Sequence, residues 1–252
     1  MSPDLKVEIA GVAFANPIMT ASGCCGYGEE LAQMFPLKKL GALVTKSVTL
    51  EPREGHPVPR TAESASGMLN AIGLANVGID RFVTEKIPTL RTCGTRVIVN
   101  VAGSSLKEYV EVCTRLNDCE GVDMIELNIS CPNVDEGGME FGSDPRLTEE
   151  IVKAAKKAFT GPLIAKLSPN VTSIEQIARA AEHGGADALS LINSLVGITI
   201  DTETWRPRLT NNRGGLTGPA IKPVALAQVD AVYNACSLPL IGIGGISCAE
   251  DV

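Results

Sequence analysis

The sequence predicts an α/β fold, a (β/α)₈ barrel of the TIM type preceded by a small β-hairpin, and three observations predict it. Short apolar runs recur at residues 18–21, 42–48, 97–101, 124–129, 163–167, 188–192 and 240–243, mostly separated by amphipathic helical stretches. Strands that alternate with helices without reversal imply a parallel sheet with right-handed crossovers. Neither Gly23-Cys24-Cys25-Gly26-Tyr27-Gly28 nor Gly242-Ile243-Gly244-Gly245-Ile246 fits G-x-G-x-x-G. The fingerprint of an open dinucleotide-binding sheet is therefore absent, and closure into a barrel is the expectation.

Taken in order, residues 5–9 and 12–14 flank Ala10-Gly11 and read as the hairpin. The runs 18–21, 42–48 and 97–101 open the parallel pattern. Residues 124–129 are short, largely apolar and bounded by turn formers, as suits a strand covered on both faces, and Pro132 ends its ladder. Asp144-Pro145 supplies an N-cap and a proline at the first helical position, with Leu147, Ile151, Ala154, Ala155 and Ala158 along one face. After the run 163–167, Ser173 and Gln176 form a capping-box pattern ahead of Ile177, Ala178 and Ala181, and Gly184-Gly185 stops that helix. The runs 188–192 and 240–243 complete the series. Between them the insertion 199–213, with Trp205 and Arg206, reads as a lid or a partner surface. No Pro/Ser-rich linker or charge block divides the 252 residues, so residues 1–252 are expected to form one domain.

Composition narrows the chemistry. A formal charge of −7 argues against a nucleic-acid groove, which needs surplus Lys and Arg on one face. No apolar run approaches the roughly 18 residues of a membrane span, and the first nine residues already carry Asp4, Lys6 and Glu8. Neither signal peptide nor membrane anchor is expected, and the chain reads as soluble and cytoplasmic. The eight cysteines are dispersed, include no C-x-x-C pair and belong to a chain long enough to need no disulfides. With His56 and His183 the only histidines, no zinc or iron–sulfur site is expected within the chain. Adjacent Cys24-Cys25 reads as a loop feature rather than a redox pair. His183 falls in the last turn of a helix, where a cation complements the dipole, and His56 lies in the polar loop 52–60, where solvation is expected.

Polar side chains gather at the ends of the apolar runs. Ser22 and Gly23 follow the first, Lys46-Ser47 lies in the second, Asn100 in the third, Asn128 in the fourth, Lys166 in the fifth, Asn193-Ser194 after the sixth and Gly244-Gly245 after the seventh. The C-terminal mouth of a parallel barrel is where active sites form. Singly, each has a structural explanation: snorkelling for the lysines, a cap for Asn193, turns for the glycines. Together, two lysines inside apolar strands require buried anionic or hydrogen-bonding partners. Asn128-Ile129-Ser130-Cys131-Pro132-Asn133 adds a thiol between two carboxamides. Alone, Cys131 also reads as a small buried hydrophobe, but buried amides need polar partners, and a flat heterocycle with alternating N–H and C=O groups would serve.

Asn128-Ile-Ser-Cys-Pro-Asn133, Asn70-Ala-Ile-Gly-Leu74, Lys166-Leu-Ser-Pro-Asn170 and Gly214-Gly-Leu-Thr-Gly-Pro-Ala220 together resemble class 1 dihydroorotate dehydrogenase, B type. The resemblance runs from the hairpin to Val252. It implies an FMN-containing barrel, one FMN per subunit, that oxidises (S)-dihydroorotate to orotate in pyrimidine (UMP) biosynthesis. Such an oxidation needs a base for the proton alpha to a carbonyl and an acceptor for the hydride, which casts Cys131 as base for the C5 proton and FMN as acceptor of the C6 hydride. A free thiol ionises near pH ~8.5, so turnover is expected to rise at mildly alkaline pH. The resemblance has Lys46, Asn70, Asn128, Asn133, Asn193 and Ser194 holding orotate, with the backbone of Ala71, Ile72, Gly73 and Leu74, on the loop 60–76, closing over it. Lys166 would lie by the flavin pyrimidine ring and steady the negative charge of the reduced form. Ser22, Lys46, Ser47, Asn100, Asn128, Ile192, Gly218, Gly244 and Gly245 match the remaining flavin contacts.

Members of that family continue through an eighth strand and a closing helix, whereas this sequence stops at Asp251-Val252. The expectation is a truncated barrel with open edges at the first and seventh strands and weakened binding of the FMN phosphate. The resemblance further implies an electron-transfer subunit bearing FAD and a 2Fe-2S cluster, which passes electrons to NAD within a heterotetramer of two catalytic and two electron-transfer subunits. Two alternatives stay open. One is a barrel resembling dihydropyrimidine dehydrogenase, which reduces uracil and tends to have histidine where Asn133 stands; the other is a non-catalytic flavin-binding subunit.

Overall fold

Val7–Ile9 (β1) and Val12–Phe14 (β2) pair antiparallel through Ala10-Gly11, and both turn residues take positive φ, 51° and 80°. In this computed structural model residues 4–130, 132–133 and 139–252 are described, with 132, 133 and 139 described by their backbone. The further strands are Ala42–Val44 (β3), Thr61–Ser64 (β4), Gly67–Asn70 (β5), Arg96–Val101 (β6), Met124–Asn128 (β7), Pro132–Asn133 (β8), Met139–Glu140 (β9), Leu163–Leu167 (β10), Ala188–Leu191 (β11), Leu195–Gly197 (β12), Ile200–Asp201 (β13), Arg206–Pro207 (β14), Gly214–Thr217 (β15) and Leu240–Gly242 (β16). The helices are Glu29–Ala32 (α1), Gly78–Arg81 (α2), Ile87–Leu90 (α3), Leu106–Asn117 (α4), Pro145–Ala158 (α5), Ile174–His183 (α6) and Lys222–Tyr233 (α7).

A curled parallel sheet runs β3-β6-β7-β10-β11-β16, so its spatial order is its chain order, as in a (β/α) barrel wall. Six of the seven expected strands are present as strands. The first run, 18–21, reduces to a single parallel bridge between Met19 and Ala42. There side chains replace part of the ladder: Asn16 Oδ1 accepts from the Ile18 amide at 3.0 Å, and Thr20 Oγ1 accepts from the Val44 amide at 2.9 Å. The second run leaves the ladder after Val44, where the Lys46 amide turns to the Gly26 carbonyl at 2.8 Å, and rejoins it where the Val48 amide reaches Asn100 O at 2.8 Å.

Side chains of a strand alternate in direction, and the two faces have separate cores. Ala42, Val44, Ile98, Met124, Ile164 and Ala188 fill the inside, and Phe14 and Val12 of the hairpin close its N-terminal end. The outer face meets the helices; Leu147, Ile151, Val152 and Ala155 of α5 are all buried against it, the larger of them worth about 1.5–3 kcal/mol each. Asp144 caps α5 by accepting the Leu147 amide at 2.9 Å, as its sequence predicts. The box at Ser173 is half made. Its Oγ accepts the Gln176 amide at 3.4 Å and donates to Glu175 Oε2 at 2.8 Å.

The reading of 60–76 as loop is corrected by the structure. β4 and β5 form a hairpin that joins β15 and β12 in a four-stranded antiparallel sheet, β12-β15-β5-β4. The insertion 199–213 likewise contains the short β13/β14 hairpin, whose turn leaves Trp205 84% exposed. Among the described residues no helix is long and apolar enough to cross a membrane.

Candidate active site

A cavity of about 830 Å³ runs inside the curled sheet from Ile9 at the hairpin end to Asn193, Ser194 and Gly244 at the C-terminal strand ends. Eight of the expected residues line it: Ser22, Lys166, Ile192, Asn193, Ser194, Gly218, Gly244 and Gly245. One pleat above the apolar interior the wall turns polar, because Asn100, Glu126, Lys166 and Ser190 follow Ile98, Met124, Ile164 and Ala188 by two residues on their strands. Glu126 sits at the centre, 2% exposed. Its Oε1 accepts from Asn100 Nδ2 at 2.6 Å and its Oε2 from Ser190 Oγ at 2.7 Å. Ser47 Oγ donates onward to Asn100 Oδ1 at 2.5 Å. Lys166, 5% exposed, holds its Nζ 3.9 Å from Glu126 Oε1, an ion pair beyond hydrogen-bond length. Among the described residues that ammonium makes no hydrogen bond, so its protons remain for whatever enters the cavity.

The other expected residues lie at the mouth. Lys46 is half-buried and, among the described residues, without an ion-pair partner; burial first, and then the nearby Arg60 guanidinium, hold its ammonium below the ordinary lysine value, while Glu30 opposes them. A carboxylate would relieve both effects. Asn70 ends β5 and its Nδ2 donates to Gly215 O at 3.2 Å. Ser194 lies over the same spot, since a Cβ on Gly215 would fall 2.0 Å from Ser194 Oγ and 3.9 Å from Asn70 Nδ2. Asn170 fixes that segment by donating to Ser194 O at 2.9 Å and accepting from the Val196 amide at 3.0 Å.

Residues 71–74 are held from both sides. The His56 amide donates to Ile72 O at 3.0 Å and its Nδ1 meets Ala71 O at 3.0 Å, which corrects the expectation of a solvated histidine. Buried Asn76 accepts from the Gly78 amide at 2.8 Å and donates to Leu74 O at 2.8 Å. Gly73 takes φ 72°, and a Cβ there would stand 2.6 Å from the His56 nitrogen, so the tight path demands glycine.

Cys131 lies outside the described residues, and of Asn133 the backbone alone is described, in β8 paired with β9. The strand end leading to them is fixed from outside the barrel: Tyr109 of α4 is fully buried and its hydroxyl donates to Asn128 O at 2.5 Å. Asn128 Oδ1 accepts from the Ser130 amide at 3.4 Å, and Ser130 Oγ is buried with no hydrogen-bond partner among the described residues. Sequence reasoning passed over Glu126, Ser190, Arg60 and Asn170. For Glu126 the signal was present, a carboxylate in an otherwise apolar run two residues ahead of Asn128.

These residues fit an FMN. Gly218 (φ 95°), Gly244 (φ 123°) and Gly245 (φ 74°) converge where α7 begins. A Cβ on Gly245 would lie 2.7 Å from Lys222 Cβ, 3.0 Å from the Lys222 amide nitrogen and 3.1 Å from Gly218 O, so only glycine lets this turn pack so closely against the start of α7, a helix end that suits a phosphate. Gly218, Gly244, Gly245 and Ser22 would hold the phosphate end and Lys166 the ring end.

The family model described as dihydroorotate dehydrogenase matches residues 4–252. A relative from Citrifermentans bemidjiense, named dihydroorotate dehydrogenase B (NAD(+)), catalytic subunit, is 54% identical over 249 residues, 99% of this chain and 82% of its own length. Proteins of the same name from Geotalea uraniireducens and Pelobacter propionicus are each 53% identical over 99% and 100% of this chain, covering 82% and 83% of their own lengths. Among solved structures, DHODH from Eimeria tenella in complex with ferulenol superposes with a TM-score of 0.81 at 22% identity, over 99% of this chain and 75% of that one, a likeness of fold. A curled parallel wall with its polar layer at the C-terminal strand ends, matched along nearly its whole length by that family model and by relatives above half identity, places the chain in the dihydroorotate dehydrogenase family.

Proposed function

We propose that the chain, as one domain, oxidises (S)-dihydroorotate to orotate in pyrimidine biosynthesis in the cytoplasm, with FMN in the barrel cavity. The observation that carries this reading is the Lys166 ammonium, 5% exposed on the wall of an 830 Å³ cavity with its protons unspent. A buried cation in that state is costly unless an electron-rich ligand completes it. When bound, FMN supplies a hydride acceptor, a capacity no side chain has.

The chain's own residues do the rest. Cys131, on the segment after β7, serves as base and takes the C5 proton, so turnover rises as its thiol ionises with increasing pH. Lys46 pairs with the substrate carboxylate and thereby regains the proton affinity that burial and Arg60 take from it. Asn70, Asn128, Asn133, Asn193 and Ser194 match the amide and carbonyl edges of the pyrimidine, and residues 71–74, braced by His56 and Asn76, exclude water above it. Electrons then leave to NAD through a partner subunit bearing FAD and a 2Fe-2S cluster, in a heterotetramer of two subunits of each kind. The relatives' name, an NAD(+)-linked catalytic subunit, supports such a division of labour.

An anaerobic spectrum tests the proposal. Protein reconstituted with FMN should lose its flavin absorbance when dihydroorotate is added and should not respond to dihydrouracil. Cys131→Ala should keep the flavin and bleach at least a hundredfold more slowly. A flavin-loaded protein indifferent to dihydroorotate would overturn the assignment in favour of a non-catalytic subunit.

A further inference from the structure

Glu126 and Lys166 are the two charged side chains that are buried among the described residues, and they stand side by side on the adjacent strands β7 and β10 with 3.9 Å between Lys166 Nζ and Glu126 Oε1. A buried ion pair is weak support for stability, because a well-packed apolar pair of similar volume commonly does as well or better. Its retention at the cavity wall therefore directs attention to what the pair presents to the cavity.

The hydrogen-bond directions follow from elementary constraints. An ionised carboxylate accepts only, so Asn100 must offer Nδ2 to Glu126 Oε1 and Ser190 its proton to Oε2. That turns Asn100 Oδ1 toward Ser47, whose single proton is spent there. The sequence Ser47 to Asn100 to Glu126, with Ser190 donating from the far side, thus has one polarity, and Ser47 is left able only to accept. With an amide in place of the carboxylate, the Asn100 amide and the Ser47 hydroxyl could both reverse, and Lys166 would lose its counter-charge.

We infer that Glu126 is a positioning residue for the flavin: its charge fixes the donor direction of Asn100 and Ser47 and balances Lys166, and so sets both how tightly FMN is held and how readily it is reduced. The inference rests on the cofactor reading above, in which Ser47, Asn100 and Lys166 meet FMN.

Glu126→Gln, nearly isosteric, is the test, read as FMN affinity by fluorescence titration of apoprotein and as the midpoint potential of the bound flavin. The expected result is binding at least tenfold weaker and a more positive potential, because an uncompensated Lys166 favours the more negative reduced form. Glu126→Asp keeps the charge and should keep the potential near that of wild type while still weakening binding. A purely structural role would move stability and leave the potential alone; unchanged affinity and potential in Glu126→Gln, or equal potential shifts in the Gln and Asp variants, would overturn the inference. Should Glu126→Gln not fold, the Glu126→Gln/Lys166→Met double variant carries no unpaired ion. It should bind FMN at least fivefold more weakly than Lys166→Met alone, through Asn100 and Ser47, and equality would refute the inference. Wild-type protein that takes up no FMN refutes the cofactor reading and this one with it; wild type that binds FMN beside an indifferent Glu126→Gln refutes this one alone.

Discussion

Replacing Tyr109 by phenylalanine removes one oxygen and cuts the tie between the outer helices and the strand end that leads to the site. Tyr109 is fully buried on α4, its hydroxyl donates to Asn128 O at 2.5 Å, and its ring meets Phe141 edge-on at 5.5 Å between centroids and 79° between planes. Because the ring stays, no cavity forms and the aromatic contact survives. The cost is the lost hydrogen bond and whatever share of the buried carbonyl's desolvation goes unmet, about 1–3 kcal/mol. Tyr109→Ala removes the ring as well and should cost about 3–5 kcal/mol, the range for deleting a buried aromatic.

Urea unfolding followed by circular dichroism separates these terms. Tyr109→Phe should lower the midpoint and leave the slope unchanged, since the surface exposed on unfolding hardly changes. In a chain of 252 residues the same loss corresponds to a fall in Tm of roughly 2–12 °C, at about 2–4 °C per kcal/mol. Turnover should fall along with stability, because the Asn128 carbonyl, together with the Ile129 carbonyl that accepts the Gly142 amide at 2.7 Å, anchors the chain ahead of Ser130 and Cys131. A midpoint equal to wild type would show that the hydroxyl carries no net energy, and a loss equal to that of Tyr109→Ala would show that the ring had shifted. Either result refutes the reasoning.

Gly245→Ala places a Cβ 2.7 Å from Lys222 Cβ at φ 74°, so it should raise the FMN dissociation constant at least tenfold in a fluorescence titration while leaving the far-UV spectrum intact. The Cys113 thiol is pushed up to about 12 by burial, from an ordinary value of 9.0. The folded state thus holds this proton more tightly than the unfolded state, so the stabilisation is full below pH 9.0 and is lost as pH rises toward about 12. A Cys113→Val variant should therefore show a flatter decline of Tm above pH 9.0 than wild type, and native Cys113 should resist iodoacetamide until the chain unfolds. Lys46 sheds its proton below the ordinary lysine value through burial and Arg60, so orotate affinity should fall with rising pH earlier than an ordinary lysine would allow. Arg60→Met should move that limb to higher pH in an orotate titration.

The repeated strand-then-helix order was legible because each parallel strand is buried on both faces and each long helix carries one apolar stripe, so composition alone betrays them. What escaped were structures held by side chains and by distant partners. Residues 18–21 fit a strand pattern, yet Asn16 and Thr20 side chains take ladder positions there. The 60–76 segment is rich in turn formers and reads as loop, but β5 pairs with β4 on one side and gains its second ladder from β15, whose residues lie some distance along the chain, as the Gly215–Asn70 pairing shows. Register with a remote strand is not a local property. His56 likewise looked solvated because its partners, the Ala71 and Ile72 carbonyls, are backbone groups with no sequence signature.

The site itself was more legible than its supports, and the pleat explains the difference. On four adjacent strands the inward residue changes from apolar to polar across one two-residue step: Ile98 to Asn100, Met124 to Glu126, Ile164 to Lys166, Ala188 to Ser190. A lysine or asparagine in such a step is conspicuous because it lies next to a strand end and matches a ligand's needs. Glu126 stands level with Asn100 and Ser190 with Lys166, but Glu126 answers to Asn100, Ser190 and Lys166, and the sequence marks the two only as a carboxylate and a hydroxyl within apolar runs. They become visible once the inward positions of neighbouring strands are compared at equal height. A layer in which donors and acceptors match across strands then reads as a built surface, and an unmatched ammonium within it, Lys166, marks the side on which the ligand must stand.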